Sequence, residues 1–566
     1  MTPRTRSSRG AGSAPRFAAA ITILLCGACS SASLAAQDAA PAGRPAPADT
    51  AVLTQKNEPT RTGWNAHETV LNQSTLDPAH FGRRTSYPVD GAIYAQPLFV
   101  PGLTVDGGTH NAAIVATEHD SVYAFDTDAT GQAHAPLWRR SLLPQGARPV
   151  SAEHDVTCAA ISPEVGVTGT PVIDPATRTL YVVATTREDK DIVYRVYALD
   201  LDTGRDRVAP ALIEAAAPGT ATDATDGRLT FTPRFEQQRM GLLLLGGVVY
   251  VSFASYCDED PSHGWILGYR ASDLGRAIVY IDSPDAGSSG KRAGGGGLWE
   301  SQTGLTADAA GSIYVVTGNG PFDLDTGGAN GGNSLLRLVP DGGTLRLADY
   351  FAPFDQACLN DHDQDLGSGA PLLLPGAGEL LFVGKDGRFY VTSTARLGGH
   401  QVVDQPCGAA RSRTDVDLIT QESPNQTVQG GVWGSETAWT GGGHTYVYTA
   451  GVADHLAAWE LVGGRVVLSA TAQAPEELAY PGGIPVLSSD GDRPGTAILW
   501  LVGQESGGPA LRAYDPADVS RELYGSEQRP ARDRLGSYTN FTVPTVAAGR
   551  VLVGTKQTLD VFGPLP

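Results

Sequence analysis

Polar side chains that could carry chemistry are concentrated in three loops in the middle of the chain. Two loops are acidic, CDED at 257–260 and NDHDQD at 360–365, and the third is a Gly-Asn-Gly turn around Asn319. Carboxylate and amide oxygens suit hard divalent cations, and an Asp beside a cation can accept a substrate proton. Each loop also has an ordinary interpretation, because Asn tolerates positive φ in turns and Asp is common in solvated ones.

A fourth polar segment, FDLDTGGANGGN at 322–333, clusters Asp323, Asp325 and Asn330 among glycines. It fits a calcium loop or, more simply, a flexible loop. Other chemistries lack their motifs: the chain has no GxSxG elbow and no HExxH zinc helix. GSSGKR at 287–292 differs from a phosphate loop, because Arg292 stands where a Ser or Thr must hold magnesium.

One phrase recurs eight times, as a short strand pattern followed by Asp or a small turn and usually Gly. The occurrences are SVYAFDTDATG (121–131), RVYALDLDTG (195–204), ILGYRASDLG (266–275), LLRLVPDGG (335–343), RFYVTSTARLGG (388–399), HLAAWELVGG (455–464), LRAYDPADVS (511–520) and TLDVFG (558–563). Two further strand-like runs precede most of them. Four strands repeated about every 60 residues are typical of propeller blades. The sequence therefore predicts an all-β, eight-bladed β-propeller.

The ends of the chain predict how the ring closes. The last unit supplies three strand patterns, and one unassigned pattern at 81–89 (FGRRTSYPV) stands before the first unit. Its pairing with the last unit would complete the eighth blade and remove two open sheet edges. The expected organisation is a signal peptide at 1–36, an Ala/Pro-rich linker at 37–60 and a single propeller at 61–566.

Composition narrows the classes of partner. Apolar residues make up 41% of the 566 residues, which is ample for a core, and the formal charge is −20. So acidic a chain is a poor candidate for a phosphate backbone, and we expect no nucleic-acid partner. Cations or neutral, polar small molecules suit its surface better.

The N-terminus has the pattern of an export signal. Four arginines precede the apolar run FAAAITILLCGA (17–28), and small residues follow to Ala36. The run is too short to span a bilayer as a helix. Cleavage near Ala36 predicts a soluble periplasmic or secreted protein, whereas lipid on Cys29 predicts an anchored one. Four later cysteines permit two disulfides in three pairings. These are Cys158, Cys257, Cys358 and Cys407.

The first two repeats resemble the docking repeat of the quinoprotein alcohol dehydrogenases, eight-bladed propellers with a recurring Ala–Asp–Thr–Gly–Trp pattern. The matching positions are Ala124, Asp126, Thr130, Gly131 and Trp138, then Ala198, Asp200, Thr203 and Gly204. In this pattern the Asp and Thr cap a turn and the Trp packs between blades. The resemblance implies fold more than function, because non-catalytic propellers of outer-membrane assembly share the repeat.

The middle of the chain is similar to the family's cofactor-binding segments, which implies pyrroloquinoline quinone with calcium or a lanthanide and oxidation of an alcohol or sugar. GGGGLWESQTGLTADAAGSIYVVTGNG (294–320) implies Trp299 beside the quinone and Asn319 as a metal ligand. NDHDQDLGSG (360–369) implies Asp363 as general base and metal ligand, with Asp365 as the additional acid of lanthanide-using members.

Two more positions follow from the same resemblance. GKDGRFYV (384–391) implies that Lys385 donates to the quinone oxygens, and Glu259, five residues before Gly264, matches a metal ligand. The chain also departs from the family pattern. A single Cys158 replaces the vicinal cysteine pair, Tyr94 replaces a cofactor-binding Glu, and the Cys-x-x-Cys-His haem motif is absent from the sequence. Electrons would then leave to an external acceptor.

Two hypotheses of different class therefore remain. The first is an exported dehydrogenase that uses pyrroloquinoline quinone and calcium on a small alcohol or sugar. The second is a propeller without the cofactor that binds a protein or glycan partner at the cell envelope or outside the cell.

Overall fold

The computed structural model describes residues 46–131, 134–287, 294–401 and 418–565. They form eight blade sheets of mainly antiparallel strands and a separate two-stranded sheet. Blades 1 to 4 consist of Leu98–Val105, Gly108–Ala116, Ser121–Asp126 and Trp138–Ser141; Val172–Asp174, Thr179–Glu188, Asp191–Asp200 and Ala211–Leu212; Leu243–Leu245, Val248–Ser255, Gly264–Arg270 and Arg276–Asp282; and Thr306–Ala307, Ile313–Val316, Leu335–Asp341 and Thr344–Phe351. The expected signal, Cys29 and Cys407 lie outside the described residues.

The second half of the ring repeats the arrangement. Blades 5 to 8 consist of Leu372–Leu373, Glu379–Val383, Phe389–Ser393 and Gln421–Glu422; Thr437–Gly441, His444–Ala450, Asp454–Val462 and Ala472–Leu478 with Arg465–Val466; Val486–Ser488, Ile498–Glu505, Gly508–Asp515 and Asp518–Gly525; and Thr545–Ala547, Arg550–Gly554, Thr558–Pro564 and Phe81–Pro88. Each of the eight recurring phrases lies on the third strand of a blade, which confirms the predicted fold.

Short elements outside the blades complete the described structure. The extra strands are Trp64–Asn65, Arg148–Ser151, Glu164–Val165, Ala216–Pro218, Arg228–Thr230 and Glu236–Gln238; the α-helices are Gln356–Asp361 and Pro530–Asp533; the 3-10 turns are Ala48–Thr50, Glu300–Gln302, Leu324–Thr326, Leu366–Ser368 and Ser526–Gln528. Among the described residues, no helix has the length and apolar character needed to cross a membrane.

The ring closes as the sequence predicts. Phe81–Pro88 pairs antiparallel with Thr558–Pro564, from Phe81 opposite Pro564 to Pro88 opposite Thr558. The N-terminal strand thus becomes the outer strand of blade 8. Tyr87 on this strand also stacks on Phe125 of blade 1, with ring centroids 4.5 Å apart.

The apolar core is divided among the interfaces between blades. Each of eight buried clusters joins residues from two consecutive blades, and one of them joins blade 8 to blade 1. Side chains alternate between the two faces of a strand, so each blade buries both faces against neighbours. This is why the strand patterns read as nearly continuous apolar runs.

The docking repeat works as the resemblance implies. Asp200 accepts hydrogen bonds from the backbone and hydroxyl of Thr203, at 3.0 and 2.8 Å, and so caps the turn. Trp138 of blade 1 donates to the Leu201 carbonyl of blade 2 at 3.2 Å. A Cβ at Gly204, where φ is +66°, would lie 2.7 Å from the Trp138 ring. Glycine is therefore required there by both backbone and packing.

Residues 52–68, here called the axial segment, follow the inner strands around the ring. Backbone hydrogen bonds link Val52 to Phe99 in blade 1, and the carbonyls of Thr60 and Thr62 to Leu373 in blade 5 and Ala438 in blade 6. Trp64–Asn65 pairs in parallel with the first strand of blade 7. Only a segment on the ring axis can contact so many first strands. Part of the predicted linker is therefore packed inside the propeller.

Two cations of the axial segment are fully buried. The Lys56 ammonium donates to the carbonyls of Glu436 and Pro485, at 2.8 and 3.0 Å, and to the Thr437 hydroxyl at 2.7 Å. Burial lowers the pKa of Lys56 to about 7, although Glu436 opposes the shift. Arg61 donates to the carbonyls of Gln55 and Leu305 at 2.6 and 3.1 Å. These bonds fix the segment across several blades.

One disulfide is present among the described residues. Cys158 and Cys257 are joined, with their Cα atoms 5.7 Å apart. The bond ties a loop before blade 2 to the loop between the second and third strands of blade 3. It resolves one of the pairings that the sequence leaves open.

Removal of the closing strand tests the ring. We expect a chain that begins at Gly91 to lose its single cooperative thermal transition, because blade 8 would lack its outer strand and the 8–1 interface would open. A chain that begins at Phe81 keeps this strand but lacks the axial segment and residues 69–80, so it should unfold cooperatively at a lower temperature. Calorimetry and near-UV circular dichroism measure both, and identical melting of the two chains would contradict the prediction.

Candidate functional site

Residues just before the first strands of the blades gather at one end of the ring, here called the upper mouth. The first strands all begin at this end, so the segments that lead into them bring Arg239, Trp299, Trp433, Tyr480 and Phe541 together. The loops between the second and third strands reach the same end. They supply Asn319 from blade 4 and Lys385 from blade 5.

Lys385 is the centre of an ionic cluster. Its ammonium lies 2.5 Å from Asp365 and 3.1 Å from Asp363. The side chains of Lys385 and Asp365 are 9% and 6% exposed, whereas that of Asp363 is 68% exposed. Burial alone lowers the pKa of Lys385, but the charges and hydrogen bonds of the two aspartates outweigh it and hold the pKa above its ordinary value. The cluster contains a permanent internal cation.

Two asparagines of blade 4 connect the cluster to this blade through hydrogen bonds. Asn319 donates its backbone N–H to Asp365 and its side-chain amide to Asp363, both at 2.7 Å. Asn333 donates to the Asn319 side-chain oxygen at 2.9 Å and accepts from the Leu366 N–H at 2.8 Å. Sequence reasoning missed Asn333 and selected Asn330 in the same loop. The sequence did offer a signal for Asn333, because it stands two residues before the strand Leu335–Asp341, which begins with buried residues.

Trp299 lies beside the same cluster. A Cβ at Gly318 would be 2.7 Å from both the Trp299 ring and an Asp365 oxygen, so the small residue lets the indole and the carboxylate approach. The Arg239 guanidinium covers the ring, with its carbon 5.6 Å from the ring centroid. Phe541 lies at 4.8 Å on the same guanidinium. The Trp299 ring is thus already stacked against the Arg239 guanidinium.

Glu259 has a different partner. Its two oxygens accept hydrogen bonds from Arg234 at 2.9 and 3.0 Å. Within the described part of the chain, it forms no hydrogen bond with Asn319, Asp363 or Lys385. A second glutamate, Glu236, stands five residues before Gly241 and so has the spacing that selected Glu259. Glu236 is buried and accepts from the His263 N–H at 3.1 Å, and burial raises its pKa well above the ordinary value.

This donor set does not fit calcium and a stacked quinone. Calcium takes six to eight oxygen ligands, yet the aspartate oxygens already hold Lys385 and the Asn319 oxygen holds Asn333. Across the described residues, no group of three His, Cys, Asp or Glu side chains is arranged to hold a metal ion. On the face of Trp299 that Arg239 covers, a planar ligand could stack only by displacing the guanidinium.

A cavity of about 350 Å³ opens at the upper mouth. Its walls are His362, Asp363, Gln364, Lys385, Gln426, Gly430 and Trp433. The Lys385 ammonium lies 4.6 Å from the Trp433 ring centroid. The Tyr480 ring meets Trp433 edge to face at 5.2 Å and is 50% exposed. The cavity therefore combines aromatic surface with carboxylate, amide and ammonium groups.

A second cavity, of about 490 Å³, lies at the other end of the axis. Its walls are mostly the axial segment, with Asp49, Glu58, Trp64 and His67, and residues 373–376 that follow the first strand of blade 5. Asp365 precedes this strand, so the two cavities lie at its opposite ends. The axial segment separates them.

Known structures share the architecture. The chain is similar to quinohemoprotein alcohol dehydrogenase from Comamonas testosteroni, with 16% identity, a TM-score of 0.57 and coverage of 92% of this chain and 81% of that one. The shared fold is an eight-bladed β-propeller. A quinohemoprotein alcohol dehydrogenase from Pseudomonas putida gives 12% identity, a TM-score of 0.55 and coverage of 91% and 80%. A europium-containing methanol dehydrogenase gives 14% identity, a TM-score of 0.57 and coverage of 91% of this chain and 98% of that one.

Neither a family model nor a curated protein matches the sequence. At these identities the likeness to solved structures shows the fold alone. The roles assigned by resemblance to Glu259, Asn319, Trp299, Asp363, Asp365 and Lys385 thus stay predictions, although the structure brings all of them except Glu259 together.

Loss of the internal cation should destabilise the fold. Lys385→Ala leaves Asp365 buried without its partner, and we expect the free energy of unfolding to fall by about 3 kcal/mol. Lys556→Ala is the matched control, because Lys556 occupies the corresponding loop of blade 8 and is exposed. Urea denaturation measures the free energy of unfolding of both variants. An equally small decrease in the two would contradict the structural role of Lys385.

A buried acid at the upper mouth predicts a pH dependence. Burial raises the pKa of Glu118 from 4.5 to about 8, against hydrogen bonds from Gly166 and Thr168. Between these values the folded state binds more protons than the unfolded state, so this contribution to stability falls as pH rises. Glu118→Gln should stabilise the protein at pH 9 by a few kcal/mol and change little at pH 5. Urea denaturation at both pH values, with exposed Glu153→Gln as control, tests this; a pH-independent difference would contradict it.

Proposed function

We propose that the chain binds a sugar or glycan at the upper mouth, without a resident quinone or calcium. The observation that carries this is the pair of Trp433 and Tyr480 rings beside a cavity with otherwise polar walls. An aromatic ring offers an apolar surface on which the apolar face of a pyranose can stack. Carboxylate, amide and ammonium groups around it supply acceptors and donors for hydroxyl groups.

The state of the ionic cluster supports binding rather than redox chemistry. Lys385 neutralises one of the two aspartates, and the asparagines hold the loops in place without a metal. The cluster is therefore preorganised, and little ordering entropy is lost when a ligand arrives. Asp363, the exposed member, is the one available to accept hydrogen bonds from ligand hydroxyls.

We further propose that the protein acts outside the cytoplasm, in the periplasm or beyond the cell. The arginine-rich, apolar N-terminal pattern supports export. The Cys158–Cys257 disulfide also supports it, since such bonds persist in oxidising compartments.

Binding by aromatic stacking can be measured directly. Titration calorimetry with neutral and acidic oligosaccharides is expected to give saturable binding, weakened about tenfold or more in Trp433→Ala because the stacking surface is lost. Trp64→Ala is the matched control, since Trp64 is equally half-buried but lines the other cavity. If only Trp64→Ala lost binding, the sugar would bind in the second cavity, and the proposed site at the upper mouth would be contradicted.

The competing function has its own test. Purified protein is incubated with pyrroloquinoline quinone and Ca²⁺ and assayed for dye reduction with alcohols and aldoses. We expect no stoichiometric uptake of the quinone. Stoichiometric uptake with turnover that Asp363→Asn abolishes would overturn the cofactor-free proposal and establish a dehydrogenase.

A further inference from the structure

Arg239 is a buried cation without an anionic partner. Its residue is 6% exposed, and its guanidinium lies between Phe541 and Trp299. Within the described ranges, no oxygen accepts a hydrogen bond from the guanidinium, its Nε is buried without an acceptor, and no carboxylate lies within 4.0 Å. Two other buried arginines have partners: Arg388 pairs with Asp355 and Glu422, each at 2.7 Å, and Arg61 donates to backbone carbonyls.

A buried charge of this kind is costly. Desolvation of an unpaired guanidinium costs several kcal/mol, and stacking on two aromatic rings recovers about 1–2 kcal/mol for each ring. Burial lowers the pKa of Arg239, while Tyr480, Tyr94 and Glu118 act in the opposite direction. Of these, Glu118 has a pKa of about 8. It is therefore largely uncharged at neutral pH, and the positive charge stays uncompensated.

The position of Arg239 connects this charge to the proposed binding site. Tyr480 is close enough to act electrostatically on the guanidinium, and the same ring packs on Trp433 at 5.2 Å. Lys385 lies 4.6 Å from the Trp433 ring centroid and Arg239 is within electrostatic range of Tyr480, so both cations border this aromatic pair. Lys385 is already paired with two aspartates, so Arg239 is the cation left for the ligand.

We propose that Arg239 binds the carboxylate of an acidic sugar, so that the upper mouth selects uronates over neutral sugars. This rests on the proposed sugar-binding function. The guanidinium presents a planar fork of N–H donors that matches a carboxylate in two parallel hydrogen bonds. The aromatic rings on either side hold the fork in one orientation. The binding is non-covalent and requires no co-reactant.

The experiment compares two sugars that differ at one position. D-glucuronate and D-glucose share a ring and differ in the carboxylate at C6, and ligand-observed NMR titration of the intact exported protein gives both dissociation constants. We expect the wild type to bind glucuronate about tenfold more tightly. Arg239→Gln should remove this preference and leave the affinity for glucose within about twofold. Arg239→Lys keeps the positive charge but loses the planar fork of N–H donors, so this variant should retain part of the preference for glucuronate.

The outcomes separate the two proposals. Equal binding of both sugars by the wild type overturns the role of Arg239 and leaves sugar binding intact, whereas absence of binding to either sugar overturns both. Arg234→Gln is the matched control, because Arg234 already pairs with Glu259; loss of the preference in this variant would also overturn the assignment. A thermal melt of unliganded Arg239→Gln supplies a further readout. We expect an unchanged or raised melting temperature, and a marked fall would show that Arg239 is only a packing element.

Discussion

Seven residue pairs join Phe81–Pro88 to Thr558–Pro564, and through them the two ends of the described chain become one blade. Every apolar cluster lies between two blades, so each blade needs a neighbour on both sides to bury its faces. In an open ring, blades 8 and 1 would each expose one apolar face and one sheet edge. The geometry of the upper mouth depends on the same closure, because its residues come from separate blades.

Charge is balanced differently on two sides of the upper mouth. On one side, Lys385 sits between two aspartates and the network is complete within the protein. On the other, Arg239 lies between two aromatic rings and, among the described residues, has no hydrogen-bond acceptor or ion-pair partner. The propeller thus brings the predicted residue types together at the upper mouth, while a lysine ammonium occupies the carboxylates that a metal would need.

The fold was predictable from sequence because its signal is periodic. Strand patterns and their turn residues recur in every blade, the Asp–Thr cap is clear in the first two, and local propensity agrees with the final packing. Convergence of Asn319, Asp363, Asp365 and Lys385 was also predictable, since each stands in a loop at the same end of its blade. The partners of the predicted residues were not predictable. The contacts of Asn333 with Leu366, of Arg239 with Trp299 and of Arg234 with Glu259 join residues that are well separated in sequence. The predicted linker at 37–60 includes the first part of the axial segment, because residues 52–60 follow an Ala/Pro-rich stretch and carry no strand pattern. Burial of Lys56 and Arg61 fixes this segment on the ring axis.

The axial segment has a consequence for how the molecule is assembled. It precedes the strands of all eight blades, yet its hydrogen-bond partners include residues of blades 6, 7 and 8. During synthesis the buried Lys56 therefore meets its acceptors Glu436, Thr437 and Pro485 only after most of the chain has been made. Blades made early can form their sheets, but the axis is filled only when the ring is nearly complete. Incomplete chains would leave this segment open to proteases, which favours survival of full-length molecules.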